Sequence, residues 1–442
     1  MAYYRIKDSV ETIIDKCKDV NYRTESTKFT RSRKLTQADM VWYLTMQKGR
    51  TTSLELDSYL KEKTGGYEID ITKQAFSKQR QYLKPEIFID ITKAYLKSFY
   101  QKTPEEVRKY KGHIILSVDG SMFEIPNTKE LREEYKAQIN SSKDRVSARA
   151  RVSMIYDLEN GFTVDALISD CSHGEDALGY ANIENAKDVI DLKNSIIIFD
   201  RGYPSVELIL YLEENGIKYI CRLQSQMYER EKRAMITDDE WIEIELDSKR
   251  QRNIKSKRLL EIAKEQKYHK CRLSKVVLNT GEVEFLLSNI DKEVIPEEEM
   301  KDAYFKRWQV EIGYDILKNK MHIENFTGKT KITIEQDFYA QIYTCNLLQD
   351  IKNDANKKVR NEKKDKKLKY EYKPNINILA GVLKNILIKI MFTESDKEKE
   401  TLYKTIVDKA KNNLVAIRPN RSFERKEYRG ANKYRTNLRP NM

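Results

Sequence analysis

Cysteine and histidine are sparse in this chain, five and four residues among 442, and neither type clusters. Cys17, Cys171, Cys221, Cys271 and Cys345 form no CxxC pair, and His113, His173, His269 and His322 are equally scattered. That argues against a zinc site, which needs thiolate or imidazole donors at short spacing. It also argues against a disulfide framework and favours a reducing, cytosolic compartment. No secretory leader is expected from the opening residues. A long uninterrupted apolar run is missing as well. The stretch Ile376 to Phe392 is broken by Lys384 and Lys389, so it reads as an amphipathic helix and not as a membrane span.

Charge, by contrast, is abundant. The 82 Lys+Arg against 69 Asp+Glu leave a net +13, in a chain long enough for a sizeable core and two or three structural units. The excess is patchy: residues 352–373 hold ten basic and four acidic residues, and residues 418–439 hold eight and two. These segments therefore carry six plus six of the thirteen charges. Interleaved Tyr370, Tyr372, Phe423, Tyr428 and Tyr434 suit a polyphosphate partner, with a Lys-rich solvated surface as the alternative.

Residues 1 to about 110 read as helical and polar, with helical apolar spacing at Met40, Val41, Leu44 and at Ile87, Phe88, Ile91, Tyr95. Thr36 is placed to cap a helix. Lys73, Lys78 and Arg80 surround Phe76 in a short segment after Gly65-Gly66, which could enter a DNA groove or pack as an ordinary helix with a charged outer face. From His113 the period changes. HIILSVD is a short apolar run ending in Asp119, and ARVSMIYD and TVDALISD follow as a hairpin around Glu159-Asn160-Gly161. A helix from about Glu175 to Leu192 leads to SIIIFD, a second buried strand ending in Asp200; the helix VELILYLEENG and the strand KYICRL come next. Three strands, helix, strand, helix, strand is the order expected of an α/β fold with a ribonuclease-H-like mixed-sheet core. Residues 224–292 break the alternation and read as a β-rich insertion, with a turn at Asn279-Thr280-Gly281. Domain boundaries are thus expected at 1–110 for a helical N-terminal DNA-binding domain, 111–350 for the catalytic domain and 351–442 for a basic helical region.

Pro296 and Glu297 to Glu299 open the helix that carries the most informative spacing, Tyr304-x2-Arg307-x3-Glu311-x6-Lys318. Steps of three, four and seven place these four side chains on one helix face. Glu311 would approach Asp119 and Asp200 from above the sheet. Three converging carboxylates repel one another unless hard cations sit between them, and oxygen-only ligation suits Mg²⁺, with Mn²⁺ as a substitute. Two such ions would support in-line displacement at phosphorus. Arg307 and Lys318 could then hold phosphates, and Tyr304 could pack on a sugar or donate to a phosphate. Asp157, Asp170 and Asp315 are read as surface acids, with auxiliary ligation as the alternative. Trp308 and Phe305 are read as core packing, with base stacking as the alternative.

At these residues the chain resembles bacterial insertion-sequence transposases with an Asp-Asp-Glu triad, of the insertion-sequence-4-like group marked by Tyr-Arg-Glu-Lys. VDGS around Asp119, FDRGYPS around Asp200, YFKRWQVEIGYDILKNK around Glu311 and IRPNRSFERK near the end carry the likeness. The resemblance implies that Asp119, Asp200 and Glu311 are metal-binding catalytic acids and that Tyr304, Arg307 and Lys318 bind transposon-end DNA, with Arg201 a further DNA contact. It implies double-stranded DNA as substrate, a homodimer in the synaptic complex, and a nucleoid-associated cytoplasmic protein. In some relatives an aromatic of the insertion receives a flipped base, for which Trp241 and Phe285 qualify by location, with packing as the alternative. A stand-alone nuclease of the same fold and a non-catalytic DNA-binding descendant are the competing functions.

Overall fold

The computed structural model describes residues 2–30, 34–67, 71–136, 147–278, 281–364 and 369–418. Asn279 and Thr280 of the expected turn, and the basic stretch beyond Arg418 with Phe423, Tyr428 and Tyr434, lie outside them.

Five strands build the core: β1 (Ile114–Glu124), β2 (Arg149–Asp157), β3 (Thr163–Ser169), β4 (Ser195–Phe199) and β5 (Lys218–Arg222). Helices Glu175–Ala186 and Val206–Glu214 follow β3 and β4. β1 pairs antiparallel with β2, and β2 with β3, while β1, β4 and β5 run parallel. The spatial order β3-β2-β1-β4-β5 is the ribonuclease-H-like arrangement expected from the element order. β4 is central in the parallel part, and all five of its residues are buried, which is why SIIIF shows no polar alternation.

The β2–β3 hairpin turns on Asp157. Its carboxylate accepts from the backbone N–H groups of Glu159 (3.0 Å) and Asn160 (2.9 Å), from the Tyr100 hydroxyl (2.7 Å) and from the Asn160 amide (2.8 Å). Asp157 is therefore neither a surface acid nor an auxiliary ligand. It is fully buried, and its oxygens are used up in shaping the turn.

The strands of the β-rich insertion, β6 (Asp239–Glu245), β7 (Tyr268–Val277) and β8 (Val283–Ser288), continue the core sheet: β8 pairs antiparallel with β5, giving eight strands ending β5-β8-β7-β6. Without β8, the far side of β5 would present unpaired backbone groups. Arg272 ties the extension to the chain that follows it. The side chain is completely buried, with Nε and Nη2 donating to Asp239 (2.8 and 2.9 Å) and Nη1 to the carbonyls of Ile290 (3.1 Å) and Ile295 (2.7 Å).

Each face of the sheet buries its own apolar cluster. Ile114, Leu116 and Val118 of β1 join Ile197 and Phe199 of β4 on one face, under helices Glu175–Ala186 and Val206–Glu214. Ile115 and Phe123 join Ile196 and Ile198 on the other, under the 33-residue helix Lys331–Lys363. The N-terminal helices Ala2–Lys16, Gln37–Thr45, Thr52–Lys63, Lys73–Arg80 and Glu86–Lys97 contribute to this second cluster, with Met40, Val41, Leu44, Ile87, Phe88, Ile91 and Tyr95 buried as their spacing requires. Thr36 caps its helix in a reciprocal capping box with Asp39. Arg5 donates to Asp350 through Nε (2.8 Å) and Nη2 (2.7 Å), and the Tyr95 hydroxyl donates to the same carboxylate (2.6 Å). Position 350 thus lies within an unbroken helix that the N-terminal helices clamp. Arg80 departs from the groove-entering reading: it is 2% exposed and bonded to Gln336, Asp337 and the Thr333 carbonyl, leaving Lys73 and Lys78 as the exposed cations around Phe76. Among the described residues no helix is long and apolar enough to cross a membrane, and Ile376–Phe392 packs into the second cluster.

Candidate active site

β1 does not end at Asp119, as the apolar run suggested. It continues along β2 to Glu124 because the antiparallel partner extends that far. Its pairing with β4 does stop there: the last parallel pair is Val118↔Phe199, so Asp119 and Asp200 are the next positions on neighbouring strands. Side chains alternate between faces along a strand. Ile115 and Ile198 belong to the cluster under the long helix, so Asp119, four residues on, and Asp200, two residues on, share that face.

The stretch carrying Glu311 packs on the same face, but it is not one regular helix. Helix Glu297–Phe305 tightens into a 3₁₀ turn at Lys306–Trp308, resumes as Gln309–Asp315 and widens into a π turn at Ile316–Lys320. The single straight face inferred from 3.6-residue spacing is corrected accordingly. Tyr304 donates to Asp200 Oδ1 (3.2 Å), and Arg307 Nη2 lies 4.0 Å from Glu311 Oε1. Lys318 reaches further along β1, donating to Ser121 Oγ and the Met122 carbonyl (2.8 Å each) with its ammonium 4.6 Å from the Phe123 ring centre. Gly313 permits the docking: a Cβ there would stand 2.9 Å from the Tyr156 ring and 3.0 Å from Met154. Beside it, the Tyr314 hydroxyl donates to the Asp119 carbonyl (2.8 Å).

The acids share one electrostatic field. Burial pushes the Asp119 carboxyl up to about 6, Arg307 and the Gly120 N–H oppose the rise, and the charges of Asp200 and Glu311 add to it. Burial and then Asp200 push the Tyr304 hydroxyl up to about 12. Arg307 is 5% exposed, and its Nε has no hydrogen-bond partner among the described residues. Arg201 is exposed immediately after Asp200, its carbonyl accepting from Gln224 (3.0 Å).

Two residues at this site went unnoticed in the sequence. Arg222, at the end of β5, places Nη1 3.7 Å from Asp200 Oδ1 and is forked to Glu284 of β8, with Nε to Oε2 at 2.6 Å. The signal was a cation closing KYICR one strand over from Asp200, but its face depends on sheet register. Tyr203 is buried, its hydroxyl unpartnered among the described residues and within reach of the charges of Asp119 and Asp200. Trp308, read as core packing, is 45% exposed and lies over Arg307 at 5.2 Å; Phe305 is half-buried. Trp241 is 37% exposed, whereas Phe285 packs against the first cluster. Asp315 is exposed and accepts from Asn319, and Asp170 is paired with Lys136 (3.4 Å) and His173 (3.3 Å).

Among the described residues no three acidic, histidine or cysteine side chains are gathered into a ready-made metal cage. The donor type nevertheless fits a hard divalent cation. Asp119, Asp200 and Glu311 offer only oxygens, and burial, with the charges of the two other acids, raises the Asp119 carboxyl, so its ionised form carries a cost that a cation would relieve.

Fold and site together define a ribonuclease-H-like protein with an acidic centre on one sheet face. Residues 110–347, just over half of the chain, match the family model of the transposase DDE domain, and the chain belongs to that family. It is 22% identical over 247 residues to transposase InsG for insertion sequence element IS4 of Escherichia coli (strain K12), an alignment covering 54% of this chain and 52% of that protein. The chain thus spans about half the length of this curated relative. A cryo-EM structure of the piggyBac transposase synaptic complex with hairpin DNA aligns with 91% of this chain and 81% of its own at 12% identity, with a TM-score of 0.42, too distant to carry a structural argument.

Proposed function

We propose that this protein is an insertion-sequence transposase of the insertion-sequence-4-like group, binding the ends of its element and catalysing divalent-metal-dependent cleavage and transfer of DNA strands. The observation that carries the reading is the placement of Asp119 and Asp200 at successive-strand positions just beyond the Val118↔Phe199 pair, in one electrostatic field with Glu311, in a chain of the transposase DDE family. Asp119, Asp200 and Glu311 would hold Mg²⁺, with Mn²⁺ as a substitute, in a two-ion arrangement. Bound there, the ions would activate a water or a 3′-hydroxyl and stabilise the leaving oxygen.

The chain's own residues do the rest. Arg307, buried and incompletely bonded, offers a planar fork to a phosphate beside the acids. Tyr304 orients Asp200 and closes that side of the site. Lys318 presents a point charge further along β1, and Arg201 meets the backbone of a strand entering over the β4 end. Arg222, braced by Glu284, lies 3.7 Å from the Asp200 carboxylate and keeps it aimed. Residues 1–110 and the basic region 351–442 grip double-stranded DNA on either side of the catalytic residues 111–350, in a homodimeric synaptic complex within the bacterial cytoplasm.

The test uses purified protein, Mg²⁺ and a duplex bearing the inverted repeats that flank the gene. Nicked ends and 3′ ends covalently joined to a second duplex are expected, and Asp119→Ala, Asp200→Ala and Glu311→Ala should abolish both without changing DNA affinity. Cleavage with no joining would instead identify a nuclease. Joining that survives loss of the three acids would refute the assigned site.

A further inference from the structure

A second charged feature lies beside the acidic centre without belonging to it. Lys352, Arg360 and Lys363 fall on one stripe of helix Lys331–Lys363. They line a groove of about 590 Å³ whose opposite wall is Lys369 and strand β9 (Glu371–Pro374), which pairs with β10 (Leu414–Ile417). Lys373 of β9 and Gln309, two residues before Glu311 in sequence, belong to the same lining.

These cations are not spent on the fold. Elsewhere on the helix and nearby, Lys357 pairs with Glu106 (3.7 Å) and Lys411 with Glu362 (2.6 Å). Lys352, Arg360, Lys363, Lys369 and Lys373 form no ion pair among the described residues, and Glu371 is the one acid in the groove lining. Lys352 donates to the Gln349 side chain (3.2 Å), and burial, with Lys373 and Arg108 as neighbouring cations, pushes its ammonium down to about 8. A desolvated ammonium facing other cations is costly unless an anion joins it. Aromatic rings steady the long side chains: Lys363 lies 4.1 Å from the Tyr372 ring centre, and Lys369 and Arg418 lie 5.5 and 5.9 Å from that of Tyr370. From Lys352 to Lys363 the stripe spans ~16 Å, the axial length of about five phosphates of one DNA strand. The sequence from Arg418 onward then adds eight basic residues against two acidic ones.

We propose that this groove is a binding site for the phosphodiester backbone of duplex DNA, holding the stretch that continues past the acidic centre. The inference rests on the transposase reading for the identity of the polymer. It recruits Lys352, Arg360, Lys363 and Lys373 as phosphate contacts, none of them a member of the Asp119–Asp200–Glu311 site or of its Tyr-Arg-Glu-Lys set.

The experiment compares the full-length protein with an Arg360→Glu/Lys363→Glu/Lys373→Glu variant and with a control in which Lys255, Lys257 and Lys264, exposed and outside residues 1–110 and 351–442, are replaced by Glu. Fluorescence anisotropy gives the affinity for an element-end duplex and for a random-sequence duplex between 50 and 200 mM salt. The groove variant should bind at least about 10-fold more weakly, and its slope of log K against log salt should flatten by ~2 to 3, since each phosphate contact contributes about 0.9. Loss confined to the element-end duplex assigns the groove to that DNA, and loss confined to the random duplex assigns it to target DNA. Affinity and slope equal to the control on both duplexes would overturn the proposal, as would a loss seen with heparin and with neither duplex. If the triple variant melts early, Lys373→Glu alone replaces it, with an expected flattening of about one unit. Weakened binding by the variant alongside failed joining by the parent would sink the transposase reading and leave the groove standing. Normal joining with unchanged binding would do the reverse.

Discussion

Arg272 and Arg307 are both buried arginines facing carboxylates, yet their surroundings differ in kind. Arg272 is saturated: all three nitrogens donate, to both oxygens of Asp239 and to the carbonyls of Ile290 and Ile295. Among the described residues Arg307 has its ion-pair carboxylate, Glu311, at 4.0 Å, no partner for Nε, and the faces of Trp308 and Tyr304 at 5.2 and 5.9 Å. A buried guanidinium that has used its donors fastens the fold, here the added strands to the segment leading into Glu311. One that has kept donors back is held ready for an anion.

The sharpest way to break this contrast is to remove each side chain. Arg272→Ala strands Asp239 in the interior with only Ser274 and Lys292 to satisfy it, and should cost about 3–5 kcal/mol in urea unfolding. Arg307→Ala should cost less than about 1 kcal/mol of stability while slowing DNA cleavage about 10²-fold or more, as expected for removal of a preorganised donor. Equal destabilisation by the two changes would erase the distinction.

Asp119 offers a smaller, pH-resolved test. Its folded-state carboxyl titrates near 6 against an ordinary 3.8, so the folded state holds the proton more tightly than the unfolded chain. Both states are protonated below about pH 4, and no penalty arises. Between about 4 and 6 stability falls as pH rises, and above about 6 the full penalty of about 2–3 kcal/mol applies. In chelator, Asp119→Asn should therefore exceed the parent in Tm at high pH and match it near pH 4. Mg²⁺ should raise the parent's Tm more than the variant's. Parallel pH profiles for the two proteins would show that burial does not raise the Asp119 carboxyl.

Trp308 supplies the smallest effect. Being 45% exposed, it should tolerate Ala within about 0.5 kcal/mol. Any loss should appear in DNA affinity, because the exposed ring roofs Arg307. A large drop in Tm would return Trp308 to the packing role that its apolar character suggested.

The element order was readable because it rests on local patterns. HIILSVD and SIIIFD announce buried strands by unbroken apolar runs followed by a charge, and the hairpin announces itself through Glu159-Asn160-Gly161. The misreadings have a common cause. The continuation of β1 to Glu124, the joining of β8 to β5, the burial of Arg80 against Asp337 and of Asp157 against Tyr100 each depend on a partner far away in sequence. Exposed and buried versions of the same basic helix, Lys73 to Arg80, have identical local periodicity. The 3₁₀ and π turns between Tyr304 and Lys318 likewise leave no mark in residue spacing.

The chemistry of the site, three oxygen donors with cations and a tyrosine at helical spacing, is written in residue identity and short-range period, which a single chain segment carries without help. The meeting of those residues is not. Asp119, Asp200 and Glu311 are separated by 81 and 111 positions; the Val118↔Phe199 register sets the first two on neighbouring strands, and the close approach of Gly313 to Tyr156 lays the segment carrying Glu311 on the same sheet face. Register and docking are settled by the summed burial of two apolar clusters over the whole chain, so no window of sequence contains them.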